Sequence, residues 1–239
     1  MPPRTLSPEV VAQVEAWTIK LAEAIGVKGL LNVQYVVKDG QVKVIEANPR
    51  ASRTIPYLSK AIGHPLAKYA ALIAAGKTLP EIGFSKPPQL DVYAVKEVVL
   101  PFEKFRGVIP VLGPEMRSTG ESMGIDRDAD AAYFKAQLGA GTKLPTHGKV
   151  LCLGTDDALE GEVAACGFEA VHDWDEADGS EAPALVVDLT GSMTLRRAMQ
   201  EGVPYVTTRD AAAWSLHAAA YHRDHRDATI TALQDLRFS

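Results

Sequence analysis

The chain has 239 residues, of which 46% are hydrophobic and 23% charged, and its formal net charge is −5 at pH 7. This is the composition of a globular protein, long enough for one large or two small domains. The mild acidity argues against nucleic-acid binding, and the lack of a run of roughly 18 apolar residues argues against a membrane span, so we expect a cytoplasmic protein with neither partner.

The first predicted elements are a helix and a β-hairpin. Ser7, followed by proline, is typical of a helix N-cap, and apolar residues recur at helical spacing over residues 7–25. Strand-like runs at 30–37 and 42–47 flank the Lys-Asp-Gly sequence at 38–40, which is a hairpin turn signal.

The length of that turn decides which side chains share a face of the hairpin. A three-residue loop at 38–40 places Glu46 diagonally next to Gln34 on one face, with Asn48 just beyond. A two-residue loop at 39–40 places Gln34 and Glu46 on opposite faces. If both polar groups serve one site, we expect the three-residue loop.

A glycine- and proline-containing stretch without an apolar run, residues 139–148, predicts a domain boundary. The predicted fold class is α/β, with an antiparallel hairpin in a first domain over 1–140 and a parallel, Rossmann-like domain over 148–239. The other predicted elements are helices at 57–61, 65–75, 128–137, 157–167, 193–202 and 209–221, and strands at 93–100, 149–154, 184–191 and 203–208.

The two cysteines, Cys152 and Cys166, show no metal-ligand spacing between them. We therefore predict two buried, reduced thiols, as expected of a cytosolic protein. A disulfide or a catalytic thiol is the alternative interpretation.

One cluster of residue types points to a chemical function. Gln34, Glu46 and Asn48 supply oxygen atoms of the kind that Mg²⁺ or Mn²⁺ prefers. Arg50 and Arg53 carry permanently charged, planar guanidinium groups suited to phosphate oxygens. Together they predict a metal–nucleotide site for phosphoryl transfer. A salt-bridged surface hairpin is the alternative, because the E-x-N-x-R pattern is short.

Longer stretches resemble one family. GLLNVQYVV…VKVIEANPRASRTIPYLSKAIGHPLAKYAALIAAGKTL resembles the end of an ATP-grasp domain in the carbamoyl-phosphate synthetase large chain. YAVKEVVLPFEKF…LGPEMRSTGESMG is similar to the same chain further on, so the resemblance covers nearly all of residues 5–140. The NPRASRTIPYLSK wording and the α/β domain that follows are similar to the C-terminal portion, from the second of its two ATP-grasp units.

The resemblance implies an ATP-dependent ligase of pyrimidine and arginine biosynthesis, which transfers the ATP γ-phosphate to carbamate. It implies that Gln34, Glu46 and Asn48 hold Mg²⁺ or Mn²⁺ beside the ATP phosphates, that Arg50 lies on the phosphate side, and that Arg53 lies near the transferred group. The implied partners are the remaining N-terminal part of the large chain and a glutaminase small chain, and a homo-oligomer stays open.

The chain departs from the family where the other ATP-binding lobe is expected. That lobe contributes a glycine-rich phosphate loop, and the 33 residues before Gln34 are mainly one predicted helix without such a loop. We therefore expect the chain alone to bind ATP poorly and to turn over no substrate. A non-catalytic regulatory or assembly module and another ATP-grasp ligase are the alternatives. The LGPEMRSTG stretch at 112–120 argues against the second.

The last domain falls where the family carries its methylglyoxal-synthase-like regulatory domain. The resemblance places an effector site in loops at the carboxyl ends of the parallel strands, where helix N-termini attract phosphate. Acidic residues at 173–181 repel phosphate, so control by a uridine nucleotide is expected to be altered or lost. The candidate effector residues, each with an N-cap role as alternative, are Thr155, Thr190, Ser192, Thr207 and Thr208.

Overall fold

In a computed structural model of the chain, the described residues are 1–86, 88, 90–104, 108–113, 115, 117–177, 182–225 and 232. Their contacts divide the chain into two compact units, one containing Met1–Asp91 and the other Val92–Ile230. Residues 92–140 thus group with the residues that follow them, whereas the resemblance places them with the residues that precede them. Within the described part, no helix combines the length and apolarity needed to cross a membrane.

The first unit contains helix α1 (Pro8–Ile25), strands β1 (Asn32–Lys38) and β2 (Gln41–Asn48), and helices α2 (Thr54–Ala61) and α3 (Leu66–Ala74). The predicted start of α1 is confirmed, because Ser7 accepts a hydrogen bond from the Val10 backbone N–H. α1 contacts the hairpin, and Thr18 Oγ1 lies 2.7 Å from the Tyr35 hydroxyl. Since side chains alternate along a strand, Gln34 points to the opposite face.

The hairpin turn differs from the predicted three-residue loop. Lys38 pairs with Gln41, so the loop has two residues, Asp39 and Gly40, with φ values of 52° and 73°. Two successive left-handed residues are typical of a type I′ turn, whose twist matches that of paired strands. The expectation of an odd loop is therefore wrong.

A β-bulge supplies the odd residue instead. Tyr35 pairs with Val44 and Gln34 pairs with Glu46, which leaves Ile45 as the extra residue on β2. A regular hairpin with a two-residue loop would place Gln34 and Glu46 on opposite faces. Because the bulge adds one residue, both side chains lie on the same face, as one shared site requires.

The second unit begins with an antiparallel pair, β3 (Tyr93–Val99) and β4 (Gly120–Asp126), packed against helix α4 (Ala129–Ala140). A parallel sheet follows, with strand order β6-β5-β7-β8, which confirms the predicted α/β class. Its elements are β5 (Lys149–Leu153), α5 (Asp157–Ala165), β6 (Glu169–Val171), β7 (Leu185–Asp188), α6 (Thr194–Glu201), β8 (Tyr205–Val206) and α7 (Arg209–Asp224).

Buried residues form a cluster on each face of the parallel sheet. Val150 and Val187 pack with residues of α5 and α7, whereas Leu151 and Val186 pack with residues of α6. Successive residues of β5 and β7 thus face opposite layers, as expected for strands covered by helices on both sides. This packing on both faces fixes the positions of the carboxyl ends of the strands, where the effector residues are predicted.

Cys152 and Cys166 are free thiols, only 2% and 7% exposed, in the cluster with α5 and α7. Burial, reinforced by the nearby Glu160 carboxylate, raises the pKa of the Cys152 thiol to about 11. Burial also raises the pKa of Cys166. The prediction of buried thiols is confirmed, and the thiolate that a catalytic cysteine needs is disfavoured at neutral pH.

The close packing of α4 on β4 depends on Gly124. A Cβ atom at this position would overlap the backbone carbonyl oxygen of Ala132 and lie 2.5 Å from the Ala136 nitrogen. Because both are backbone atoms of α4, the clash could be relieved only by moving the helix or the strand.

We predict that Gly124→Ala lowers the free energy of unfolding by about 1–3 kcal/mol, because overpacking forces such shifts. Gly161→Ala is the matched control, since Gly161 lies inside α5 and, beyond its chain neighbours and the backbone of its own helix, no atom of the described residues lies within 4 Å of its Cβ position. Alanine in that helix should raise stability by about 0.5–1 kcal/mol. Urea unfolding followed by circular dichroism measures both, and equal effects would contradict the packing of α4.

Candidate metal and phosphate site

Three side chains predicted to supply oxygen ligands meet on one face of the hairpin. Gln34 on β1 pairs with Glu46 on β2, and Asn48 lies two residues further along β2. Gln34 Nε2 donates to Glu46 Oε1 over 2.8 Å, and Asn48 Nδ2 donates to the same oxygen over 2.9 Å. The structure therefore brings all three residues together around one carboxylate oxygen.

The chemistry of this cluster suits a divalent cation. A carboxylate and two amides offer hard oxygen atoms, the donor type that Mg²⁺ and Mn²⁺ select. The amide nitrogens of Gln34 and Asn48 now face Glu46. Rotation of each terminal amide by about 180° exchanges its nitrogen for its oxygen, which turns a hydrogen-bonded cluster into three ligands for one ion.

Arg50 lies next to the cluster, and Arg53 lies at the start of the following helix. Arg50 Nη2 donates to Asn48 Oδ1 over 3.5 Å, and its Nη1 donates to the Ala51 carbonyl oxygen over 3.0 Å. Arg53 is exposed and is the residue that precedes α2. These two hydrogen bonds hold the guanidinium group of Arg50 beside the oxygen cluster.

The cluster forms an open surface. Gln34 and Glu46 are exposed and Asn48 is half-buried, and the exposed fraction of Val36, two residues from Gln34 on β1, is 44%. A phosphate bound to an ion here would touch this face on one side only. In the described residues, no three His, Cys, Asp or Glu side chains come together to hold a metal.

Asp188, which the sequence analysis did not single out, organises the predicted effector loop after β7. Its side chain is 0% exposed. Its carboxylate accepts hydrogen bonds from the hydroxyl groups of Thr190 and Ser192, both over 2.6 Å. It also accepts the backbone N–H groups of Thr190, Gly191 and Ser192 over 2.9–3.0 Å. The hydroxyl protons predicted to meet a phosphate are therefore already donated to a carboxylate.

The ionised form of Asp188 is favoured by these bonds. Burial alone would raise the pKa of its carboxyl group, but the hydrogen bonds from Ser192 and Thr190 outweigh burial and the pKa is lowered. A carboxylate that is ionised at neutral pH, at the centre of this loop, repels phosphate. The effector role of Thr190 and Ser192 stays a prediction.

Two of the other effector candidates, Thr155 and Thr208, also have hydrogen-bond partners. Thr155 Oγ1 donates to Glu160 over 2.6 Å, and Thr208 Oγ1 accepts the Ala211 backbone N–H as the N-cap of α7. Thr207, half-buried, precedes it. Of the acidic segment 173–181, residues 178–181 lie outside the described residues. The N-cap alternative holds for Thr208, and an effector contact of any of these residues stays a prediction.

A cavity of about 690 Å³ lies elsewhere, beside the amino ends of β5 and β6. Its lining includes His147, Lys149 and Glu169. Lys149 Nζ donates to the Glu176 carbonyl oxygen over 3.0 Å and lies 3.8 Å from Glu169 Oε1. The cavity therefore does not coincide with the predicted effector loops at the carboxyl ends.

Comparison with known proteins identifies close relatives. Residues 1–82 match the family model for the carbamoyl-phosphate synthase L chain, ATP binding domain. The carbamoyl phosphate synthase large chain of Deinococcus deserti is 50% identical over 236 residues, which cover 98% of this chain and 22% of that relative. A large chain of Thermus thermophilus is 50% identical over 237 residues, with the same coverage. The arginine-specific large chain of Oryza sativa, a chloroplastic protein, is 51% identical over 168 residues, or 70% of this chain and 14% of the relative.

We predict that Mn²⁺ binds at the oxygen cluster and reverses both amides. The side-chain NH₂ resonances of Gln34 and Asn48 in a ¹H–¹⁵N spectrum should broaden when sub-stoichiometric Mn²⁺ is added, because the ion is paramagnetic and each amide oxygen is a ligand. Gln13, a half-buried residue of α1, is the control and should be unaffected. Equal broadening of all three resonances would show non-specific binding and contradict the site.

Proposed function

Because the chain is homologous to one part of carbamoyl phosphate synthase large chains, as its sequence predicted, we propose that its hairpin face is the metal-binding side of an ATP site at which carbamate is phosphorylated. The relatives belong to a family of ATP-dependent ligases. The chain spans about a fifth of the length of the Deinococcus and Thermus relatives. The activity proposed is that of the whole large chain, to which these residues contribute one surface.

The observation that carries the proposal is that the side chains of Gln34 and Asn48 both donate a hydrogen bond to the same carboxylate oxygen of Glu46. These residues would hold Mg²⁺ or Mn²⁺. When bound, the ion would neutralise charge on the ATP phosphates. Glu46 supplies the negative charge of the site, and the two amides orient its carboxylate and add neutral oxygens. A neutral donor leaves more of the positive charge of the ion for the phosphate.

The proposed role of Arg50 follows from its position. Its guanidinium group donates to the Ala51 carbonyl oxygen, which does not depend on the rotation of Asn48, and carries a permanent positive charge beside the oxygen cluster. In phosphoryl transfer, catalysis is mostly positioning and stabilisation of the charge that moves between the phosphates. We assign Arg50 to the phosphate next to the ion. Arg53, at the start of α2, is proposed to act on the transferred group.

The reaction proposed here needs little else from this surface. An oxygen of carbamate attacks the γ-phosphorus, the bond between that phosphorus and the β–γ bridging oxygen breaks, and its electron pair leaves with ADP. Carbamate is already an anion, so no base has to remove a proton from it. The products are carbamoyl phosphate and ADP.

The open character of the cluster supports a requirement for partner residues. Because Gln34 and Glu46 are exposed, ATP bound to them needs a second surface that holds the base and covers the phosphates. We propose that the remaining part of a large chain supplies this surface and that a glutaminase small chain supplies ammonia. The pathways proposed are pyrimidine and arginine biosynthesis, and the arginine-specific name of the rice relative supports the second.

The test measures ATP formation from Mg·ADP and carbamoyl phosphate, the reverse of the proposed step. The 239-residue chain should be inactive alone and active when mixed with a separately produced chain that carries the preceding part of a large chain. In the mixture, Glu46→Gln and Arg50→Ala should each lower the rate by about 10²-fold or more, because each removes charge stabilisation at the phosphates. Glu15→Gln, an exposed substitution in α1, is the matched control and should be neutral.

Two outcomes would contradict the proposal. Activity that survives Glu46→Gln would place the ion elsewhere. Inactivity of a mixture in which the added chain is shown to fold and to associate would favour a non-catalytic regulatory or assembly module.

A further inference from the structure

Residues 109–112 form a link between two parts of the second unit. Ile109 packs against the cluster that contains Leu151 and Leu195, and Pro110 is buried. Val111 donates its backbone N–H to the Ile109 carbonyl oxygen over 2.8 Å, which makes a tight turn. This segment leads directly into the LGPEMRSTG stretch at 112–120, whose other end is fixed to β3 by the Thr119 N–H at 2.9 Å from the Val99 carbonyl oxygen.

The segment 109–112 contacts the loop 188–192, whose conformation is held by hydrogen bonds to Asp188. Gly191 faces Val111, such that a Cβ at Gly191 would lie 3.6 Å from Val111 Cγ2. Gly191 has a φ of 70°, and its N–H donates to Asp188 Oδ1. The conformation of the surface that Val111 meets is therefore set by the Asp188 carboxylate.

The same loop is closed toward the strand beside it. A Cβ at Gly154, after β5, would lie 2.7 Å from Thr190 Cγ2, so the Thr190 methyl group fills the space between the ends of β5 and β7. In open α/β sheets, that space at a reversal of strand order is where ligands usually bind. Here it contains a side chain whose hydroxyl group is held by Asp188.

We propose that Asp188 is a positioning residue. It holds residues 188–192 in one conformation against Val111 and thereby fixes the position at which the 112–120 stretch begins. The five hydrogen bonds to its carboxylate hold three consecutive backbone N–H groups, and Ser192 Oγ accepts the Thr194 N–H, which ties the loop to α6. Loss of the carboxylate therefore increases the mobility of residues 188–192 and of the segment 109–112 that contacts them. The inference is independent of the proposed phosphorylation of carbamate.

Hydrogen–deuterium exchange of the 239-residue chain tests this link without any activity assay. In Asp188→Asn, exchange at the amides of 190–192 and of 109, 111 and 112 should rise together by about tenfold or more, because an amide cannot accept all five bonds. Exchange in β5 should stay unchanged, which separates positioning from a general loss of stability. Asp157→Asn, an exposed substitution in the first turn of α5, is the matched control and should leave both segments unchanged.

Two further variants keep the test decisive if Asp188→Asn does not fold. Thr190→Val removes one donor but keeps the methyl group against Gly154, and should raise exchange in both segments by a smaller factor. Val111→Gly changes a residue that is 44% exposed, and should free residues 109–112 while residues 190–192 stay protected. Faster exchange at 190–192 in Thr190→Val or Asp188→Asn with unchanged exchange at 109–112 would overturn the proposal.

Discussion

The candidate site depends on whether the number of residues that the hairpin places between Gln34 and Glu46 is odd or even. Side chains on a strand alternate between faces, so a single extra residue decides whether Glu46 lies with Gln34 or against α1. The turn contributes two residues, and the bulge at Ile45 contributes the odd one. Because the bulge lies beside Glu46, it also increases local twist at the point where the carboxylate meets two amides. The metal chemistry proposed here follows from that register.

The two candidate sites differ in how their polar groups are satisfied. On the hairpin, two amides share one carboxylate oxygen on an exposed face, and amide rotation makes the set available to a cation. After β7, a fully buried carboxylate holds two hydroxyl groups and three backbone N–H groups. Unsatisfied buried polar groups are costly, so this second network favours a fixed loop. The first arrangement suits ligand binding and the second suits positioning of neighbouring segments.

Much of the fold could be predicted because strong local signals agreed with the final packing. Ser7 and the proline after it start α1, and strand-helix alternation after residue 148 gives the parallel sheet. β4 was not predicted, because its glycines obscure the alternating pattern and one of them, Gly124, is required by the approach of α4. The bulge could not be read from turn residues, because it depends on pairing across the hairpin. Asp188 was missed for a similar reason, since it reads as the polar end of an apolar strand.

The proposed metal site depends on which side chains share one face of the hairpin, and not on the charge of the hairpin alone. The most direct test is Mn²⁺ binding, measured by loss of the free-ion electron paramagnetic resonance signal, in a chain with Ile45 and Glu46 exchanged (Ile45→Glu with Glu46→Ile). Both positions are exposed, so composition and net charge stay the same and little burial changes. The exchange should abolish the binding seen in the unmodified chain. Equal binding by both chains would contradict the proposed site.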